Sequence, residues 1–233
     1  MKRFYKDVTV TETADGFGVA LDGKALRSPR KHKLVLPTRA LAEALAAEWA
    51  EQGEKLATDA MRLMILVSTA IDHVAAQPGK VAAEAAKYAG TDLLCYRAEG
   101  PDSLVERERA LWQKLLDWAT DRFDAPLRVT AGVVPIDQPA DSLKALRAVL
   151  DGLDAMTLGG VAALTSSCGS LILALAVWDG RLDAAAACEA ALLHESFQTE
   201  RWGEDAEAMV RRRRLEADIR AGARFLALLR EAG

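Results

Sequence analysis

The sequence predicts an α+β protein: a small antiparallel, β-rich N-terminal part over residues 1–38, followed by a larger and mainly helical part over 39–233. Three observations predict it. Between residues 6 and 36, short runs of β-branched and apolar residues are punctuated by Gly16 and Asp22-Gly23, the pattern of strands joined by tight turns. Beyond Pro37 the apolar residues recur every three or four positions, as on one face of a helix. At 233 residues, the chain allows one large domain or one domain with a small appendage, and either arrangement can bury a sizeable core.

Each element has its own justification. Val8 and Val10 alternate with Thr9 and Thr11, and Phe17 to Leu21 follows the Gly16 turn. Asp22-Gly23 leads into Lys24-Ala25-Leu26, and Lys33 to Leu36 supplies a further short strand. Thr38 is placed to cap a helix carrying Leu41, Leu45 and Trp49 at four-residue intervals. Leu63 to Val74 is a second helix, and Pro78-Gly79 breaks the chain before a third over Lys80 to Tyr88, with Gly90 as its C-terminal cap. Asp92 to Arg97 is a compact apolar connector. Ser103 to Glu106 fits a reciprocal capping box ahead of an amphipathic helix with Leu111, Trp112, Leu115, Leu116 and Trp118. Arg128 to Ala140, with Gly132, Pro135 and Pro139, reads as a loop or short extended crossing. Helices then follow near Asp141 to Leu150, Leu158 to Trp178, Asp183 to Glu195 and Asp205 to Glu231. In the last, Leu215, Ile219, Gly222, Leu226 and Leu229 form a packing seam.

The same residues narrow the function classes. Ala155 to Trp178 carries no charge and is long enough to span a bilayer, but its first half is diluted by Thr, Ser and Gly, so a central buried helix is expected. The start of the chain lacks the continuous apolar segment of a secretory signal. Cys95, Cys168 and Cys188 are widely spaced, which fits neither a disulfide framework nor a zinc knuckle and favours a reducing compartment. The expected location is therefore the cytoplasm. A net charge of -4 gives no global pull toward nucleic acid. Arg211 to Arg214 are spread round a helix and spaced to pair with Glu207, Glu216 and Asp218. Glycine-rich phosphate loops are missing, because Gly16-Phe17-Gly18 lacks a third glycine and Gly159-Gly160 lacks a following Lys-Ser or Lys-Thr.

The densest chemistry lies in His194 to Asp205. His194-Glu195 opens like half of a zinc-protease motif, but Gln198 stands where the second imidazole is required, and His32 and His73 are the other histidines. His194 is the best general-base candidate, with Glu195, Glu200 and Glu204 nearby, which defines a rival reading as a small-molecule hydrolase. Ser166, Ser167, Cys168 and Ser170 could supply a nucleophile only if a base approached in the fold, and they lie inside an apolar stretch that favours packing. Glu200 and Glu204, four apart, would repel on one helical face and call for a basic partner. Trp202 adds a residue type that dominates interfaces; the blander alternative is that it packs internally while the acids neutralise nearby arginines. Glu48 and Gln52 sit at the edge of the Leu41–Leu45 stripe, where their stems can be buried.

Several separated stretches in order resemble one family. They are Arg3 to Val8, Gly18 to Pro29, Leu36-Pro37-Thr38, Glu48 to Gln52, Thr69 to Asp72, Asp92 to Arg97 and Gln198 to Glu204. Over nearly its full length the chain is similar to the F1-ATPase assembly chaperones that attend the α subunit of the ATP synthase head. The resemblance implies an ATP-independent chaperone, not an enzyme and without a cofactor or metal, that holds the unassembled α subunit until the β subunit replaces it. It implies no membrane insertion, and a mitochondrial-matrix location for eukaryotic relatives. On this basis Glu200, Trp202 and Glu204 are client-binding candidates, Gln198 shapes the site, and Glu48, Trp49 and Gln52 form a second patch or its support. The family places weight on an acidic residue in the C-terminal segment, and either Glu200 or Glu204 matches it.

Overall fold

The computed structural model describes residues 1–132 and 134–231. Val133, inside the predicted 128–140 crossing, and residues 232–233 at the end of the predicted helical part lie outside the described residues. The fold is α+β, as expected: a three-stranded antiparallel sheet followed by a mainly helical body.

Strand β1 (Val8–Thr13) pairs with β2 (Gly16–Leu21), Val10 facing Val19, and β2 pairs with β3 (Lys24–Ala25). The β2–β3 turn needs left-handed backbone at both central residues, and Asp22 (φ 48°) and Gly23 (φ 75°) supply it. The fourth strand expected at Lys33 to Leu36 is reduced to isolated bridges, Lys33 with Arg27 and Leu36 with Phe17. Leu34 and Leu36 nevertheless reach the core.

Helix α1 (Arg39–Ala50) starts where Thr38 accepts the Leu41 N–H, and buries Leu41, Leu45 and Trp49. Helix α2 (Arg62–Thr69) continues through a π-turn at Ala70–Val74. Helix α3 (Pro78–Lys87) begins on its proline, which is suited to a first-turn position with no N–H to satisfy. Gly90 is not a left-handed cap; α3 instead tightens into a 3₁₀ turn over Tyr88–Thr91. The connector after it forms β4 (Tyr96–Arg97), parallel to β5 (Thr130–Ala131) in the crossing. The capping box at Ser103 to Glu106 does not form. Pro101 O accepts the Leu104 and Val105 N–H groups, so α4 (Asp102–Glu108) starts two residues earlier. A π-turn at Arg109–Gln113 joins it to α5 (Lys114–Phe123).

Helices α6 (Ala140–Asp151), α7 (Ala155–Cys168), α8 (Leu171–Trp178), α9 (Ala184–Ala191), α10 (Leu193–Trp202) and α11 (Ala206–Arg230) complete the body. The expected single helix over 158–178 is two, because Gly169 turns left-handed (φ 64°) and Ser170 caps a new start by accepting the Leu173 N–H. Leu171 to Val177 is buried on every side at the centre of the molecule, so an all-round apolar sequence is packed against protein. Among the described residues no helix is long and apolar enough to cross a membrane. The α11 seam packs on α7 through small residues: a Cβ on Gly222 would lie 2.8 Å from Leu164, and one on Gly160 would lie 2.6 Å from Leu226. One apolar core runs from Tyr5 and Val19 through Leu226.

A candidate client-binding corner

Helix α10 carries the site and is fixed from below. Leu193 and Phe197 are buried, and the Phe197 ring receives the guanidinium carbons of Arg107 at 5.4 Å and Arg201 at 5.5 Å, cation–π distances. Arg107 also bonds Glu200 at 2.8 Å, tying α10 to α4. His194 Nε2 lies 2.5 Å from Glu108 Oε1, and that fully buried carboxylate accepts the Ala98 N–H with both oxygens. The Trp112 ring lies 5.2 Å from the imidazole, and its indole N–H is held by Ala190 O.

The helix ends at Gly203, whose φ of 85° and ψ of 178° belong to a region open almost solely to glycine. Two residues later Asp205 Oδ1 accepts the Ala208 N–H and starts α11. The result is a sharp corner, exposed at every residue from Glu200 to Ala208. At its tip Trp202 is 75% exposed, so the internal packing weighed from sequence does not occur. Glu200 and Glu204 do not share a helical face, because Gly203 breaks the helix between them. Glu200 is held by Arg107; Glu204 makes no ion pair among the described residues. Gln198 is exposed on the flank and lines a cavity of about 250 Å³ with Glu195, Arg211, Arg212 and Leu215.

The basic run beside it is absorbed by protein. Arg212 bonds Glu216 at 2.9 Å, as the spacing predicted, and also donates to Ser196 Oγ. The other two expected pairings are replaced: Arg211 approaches Glu195 at 3.8 Å, and Asp218 pairs with Arg62 instead of Arg214. Sequence spacing had no means of finding Arg107 or Glu108, which lie 93 and 86 residues from their partners.

Glu48, Trp49 and Gln52 are placed elsewhere and carry internal loads. The Glu48 carboxylate accepts the Leu63 and Met64 N–H groups, filling the open start of α2. Burial raises its pKa against those two bonds. Gln52 bonds Glu48 O and the Ala57 N–H. Trp49 is 7% exposed; its carbonyl accepts the Tyr5 hydroxyl at 2.6 Å, while Arg3 donates to Gln52 O at 2.6 Å. The stretches at 3–8 and 48–52 therefore brace one another.

This geometry supports recognition better than turnover. His194 is engaged by Glu108 and neither Glu200 nor Glu204 faces it in a hydrogen bond, while the hydroxyls of α10 are taken: Ser196 Oγ accepts from Arg212 and Thr199 Oγ1 donates to Glu195 O. No cluster of three or more His, Cys, Asp or Glu suited to a metal occurs among the described residues. What remains on the surface is an aromatic anchor flanked by carboxylates, the equipment of a protein that binds another protein.

Comparison with known proteins agrees. Residues 2–120 match the model of the ATP12 chaperone protein family, and the chain belongs to that family. The crystal structure of Atp12 from Paracoccus denitrificans is 42% identical, covers 98% of both chains and superposes with a TM-score of 0.91; an aspartate-to-lysine variant of the same protein gives equal values. Atu1473 from Agrobacterium tumefaciens, described as a candidate chaperone, is 41% identical over 98% of this chain and 86% of its own, with a TM-score of 0.92. Protein atp12, mitochondrial, from Schizosaccharomyces pombe is 26% identical over 219 residues, 87% of this chain and 74% of the relative. The chain is thus a chaperone and not an enzyme, and the hydrolase reading of His194 is corrected: its imidazole tethers α10 to a buried glutamate.

Proposed function

We propose that this chaperone serves ATP synthase assembly by holding the unassembled α subunit of F1-ATPase, without ATP hydrolysis, until the β subunit takes its place. An α subunit without its neighbour exposes an apolar interface, and a partner that covers it lowers the population available to aggregate. Release then requires a better competitor. The observation that carries the reading is Trp202, a large aromatic side chain held 75% exposed on a braced corner with the Glu204 carboxylate beside it in sequence. Glu204 supplies the charge for a basic group on the client; Glu200 orients the corner through Arg107; Gln198 shapes its flank. Glu48, Trp49 and Gln52 support binding from the N-terminal side. We further propose that residues 1–38 and 39–233 are the two structural parts, and that the protein works in the cytoplasm.

The test is co-expression with the α subunit alone. The chain should keep it soluble and copurify with it, and Glu200→Lys combined with Glu204→Lys should weaken capture while the melting temperature holds, since an exposed ion pair such as Arg107–Glu200 contributes about 0–1 kcal/mol. An α subunit that is equally soluble with and without this chain would sink the proposal.

A further inference from the structure

A second surface has the makings of a peptide site. An open groove of about 620 Å³ lies between the N-terminal part and α2, with Phe4, Leu26, Met61, Met64 and Ile65 in its lining. Phe4 and Ile65 are 62% and 47% exposed, unusual for apolar side chains of their size. Trp49 and Ser68 line the same groove and are each more than nine-tenths buried, yet Trp49 Nε1 and Ser68 Oγ have no hydrogen-bond partner among the described residues. A buried donor left in this state is destabilising, and an indole N–H can only donate. A group that reaches Trp49 Nε1 must be an acceptor.

The charged lining points the same way. Arg27 and Arg30 carry guanidinium groups that bond backbone carbonyls, Lys31 O and Asp72 O, and pair with no carboxylate among the described residues. The acid in this lining, Asp72, is already engaged by Ser28 Oγ at 2.5 Å, by the Arg30 N–H and by His32 Nδ1 at 2.7 Å. The uncommitted polar complement is therefore donor-rich and positive. Met1 and Met64 stand in the lining with accessible side chains, and flexible thioether side chains adapt to apolar groups of varied shape.

We propose that this groove binds an extended client segment in which apolar side chains flank an acidic residue. The apolar side chains pack on Phe4, Met64 and Ile65; carbonyl oxygens take the Trp49 and Ser68 donors; the carboxylate meets Arg27 and Arg30. That the occupant is a polypeptide rests on the chaperone reading above, whereas its acceptor-rich, acidic chemistry rests on the groove alone.

The experiment follows the indole N–H resonances of the full ¹⁵N-labelled chain, with the Trp49 signal assigned by Trp49→Phe and, should that variant misfold, by its selective loss of intensity on spin-labelling Ile65→Cys. The probes are a capped octapeptide alternating Leu and Ser around one Asp, the same peptide with Lys for Asp, and dodecanoate. The Asp peptide should move the Trp49 resonance and bind at least about tenfold more tightly than the Lys peptide, and Ile65→Glu should weaken it by about tenfold. No movement with the Asp peptide, equal affinity for both peptides, or movement with dodecanoate alone would overturn the proposal. Trp202→Ala leaves the groove untouched and should bind the peptide normally. Normal peptide binding by a chain that fails to capture the α subunit would discard the client named above and leave the groove assignment standing.

Discussion

Glu200 and Glu204 have the same chemistry and different circumstances, and the difference is testable. Glu200 is in a two-point contact with Arg107, whereas Glu204 lies beyond the helix end without an ion pair among the described residues. Glu204→Gln should therefore reduce α-subunit capture directly, and Arg107→Gln should reproduce the weaker effect of Glu200→Gln; pull-down titrations of the three variants rank them. Asp92 behaves differently because it is fully buried. It accepts N–H groups from Leu94 and Ile172 at the start of α8, and its pKa is raised to about 6, chiefly by burial and against bonds from Ser170 and the backbone. The unfolded chain releases this proton near the ordinary value of 3.8 while the folded chain keeps it until about 6, so stability from this group falls as pH rises through that window. Subtracting the pH–stability curve of Asp92→Asn from that of the parent should isolate a decline of roughly 3 kcal/mol at most between those limits. At any pH the amide introduced by Asp92→Asn would set a donor against backbone donors and lower the melting temperature.

At the scale of elements, the corner depends on one glycine and the helix pairing on two others. Gly203→Ala forces a side chain into φ 85°, ψ 178°, at a cost of about 1–3 kcal/mol; hydrogen exchange should quicken in the first turn of α11 while α8 stays protected. Gly222→Ala places a methyl 2.8 Å from Leu164 and should destabilise the whole fold by about 1–3 kcal/mol in denaturant titration. The cap at Thr38 was legible in the sequence because a short polar side chain before an apolar period has few other uses. The pairing of Asp22 with Gly23 was legible for the same local reason. Where several cap signals compete, local pattern fails: Pro101 O reaches Leu104 and Val105 first, so Ser103 falls inside the helix. The break at Gly169-Ser170 was hidden because Ala155 to Trp178 carries no charge, so no charged face marks where one helix ends and the next begins.

Across the whole molecule, the two parts share their interior. Leu21, Leu34 and Leu36 from the N-terminal side join Leu41, Leu45 and Met61 in one core, and Thr38 Oγ1 donates to Leu228 O near the end of α11. Heat should therefore unfold residues 1–38 together with the helical body, giving coincident transitions in far-ultraviolet circular dichroism and tryptophan fluorescence; separate transitions would show that the strands melt alone. The site was half legible at this scale. Trp202, Glu204 and Gln198 stood out by residue type within one short stretch, but their supports, Arg107 and Glu108, arrive from a helix distant in sequence. The groove beneath Phe4 and Ile65 was illegible for the same reason, since its walls come from four separate stretches of chain.

The three cysteines have a practical corollary. All are buried and unpaired, and burial pushes the Cys95 and Cys168 thiols up to about 12 and raises Cys188 as well. Thiolate is the reactive form, so the native chain is nearly silent toward maleimides at neutral pH. A single cysteine introduced for Glu207, exposed beside the corner in the first turn of α11, would then be the sole fast-reacting position, and a dye attached there reports arrival and departure of a bound protein in real time without any native thiol being removed.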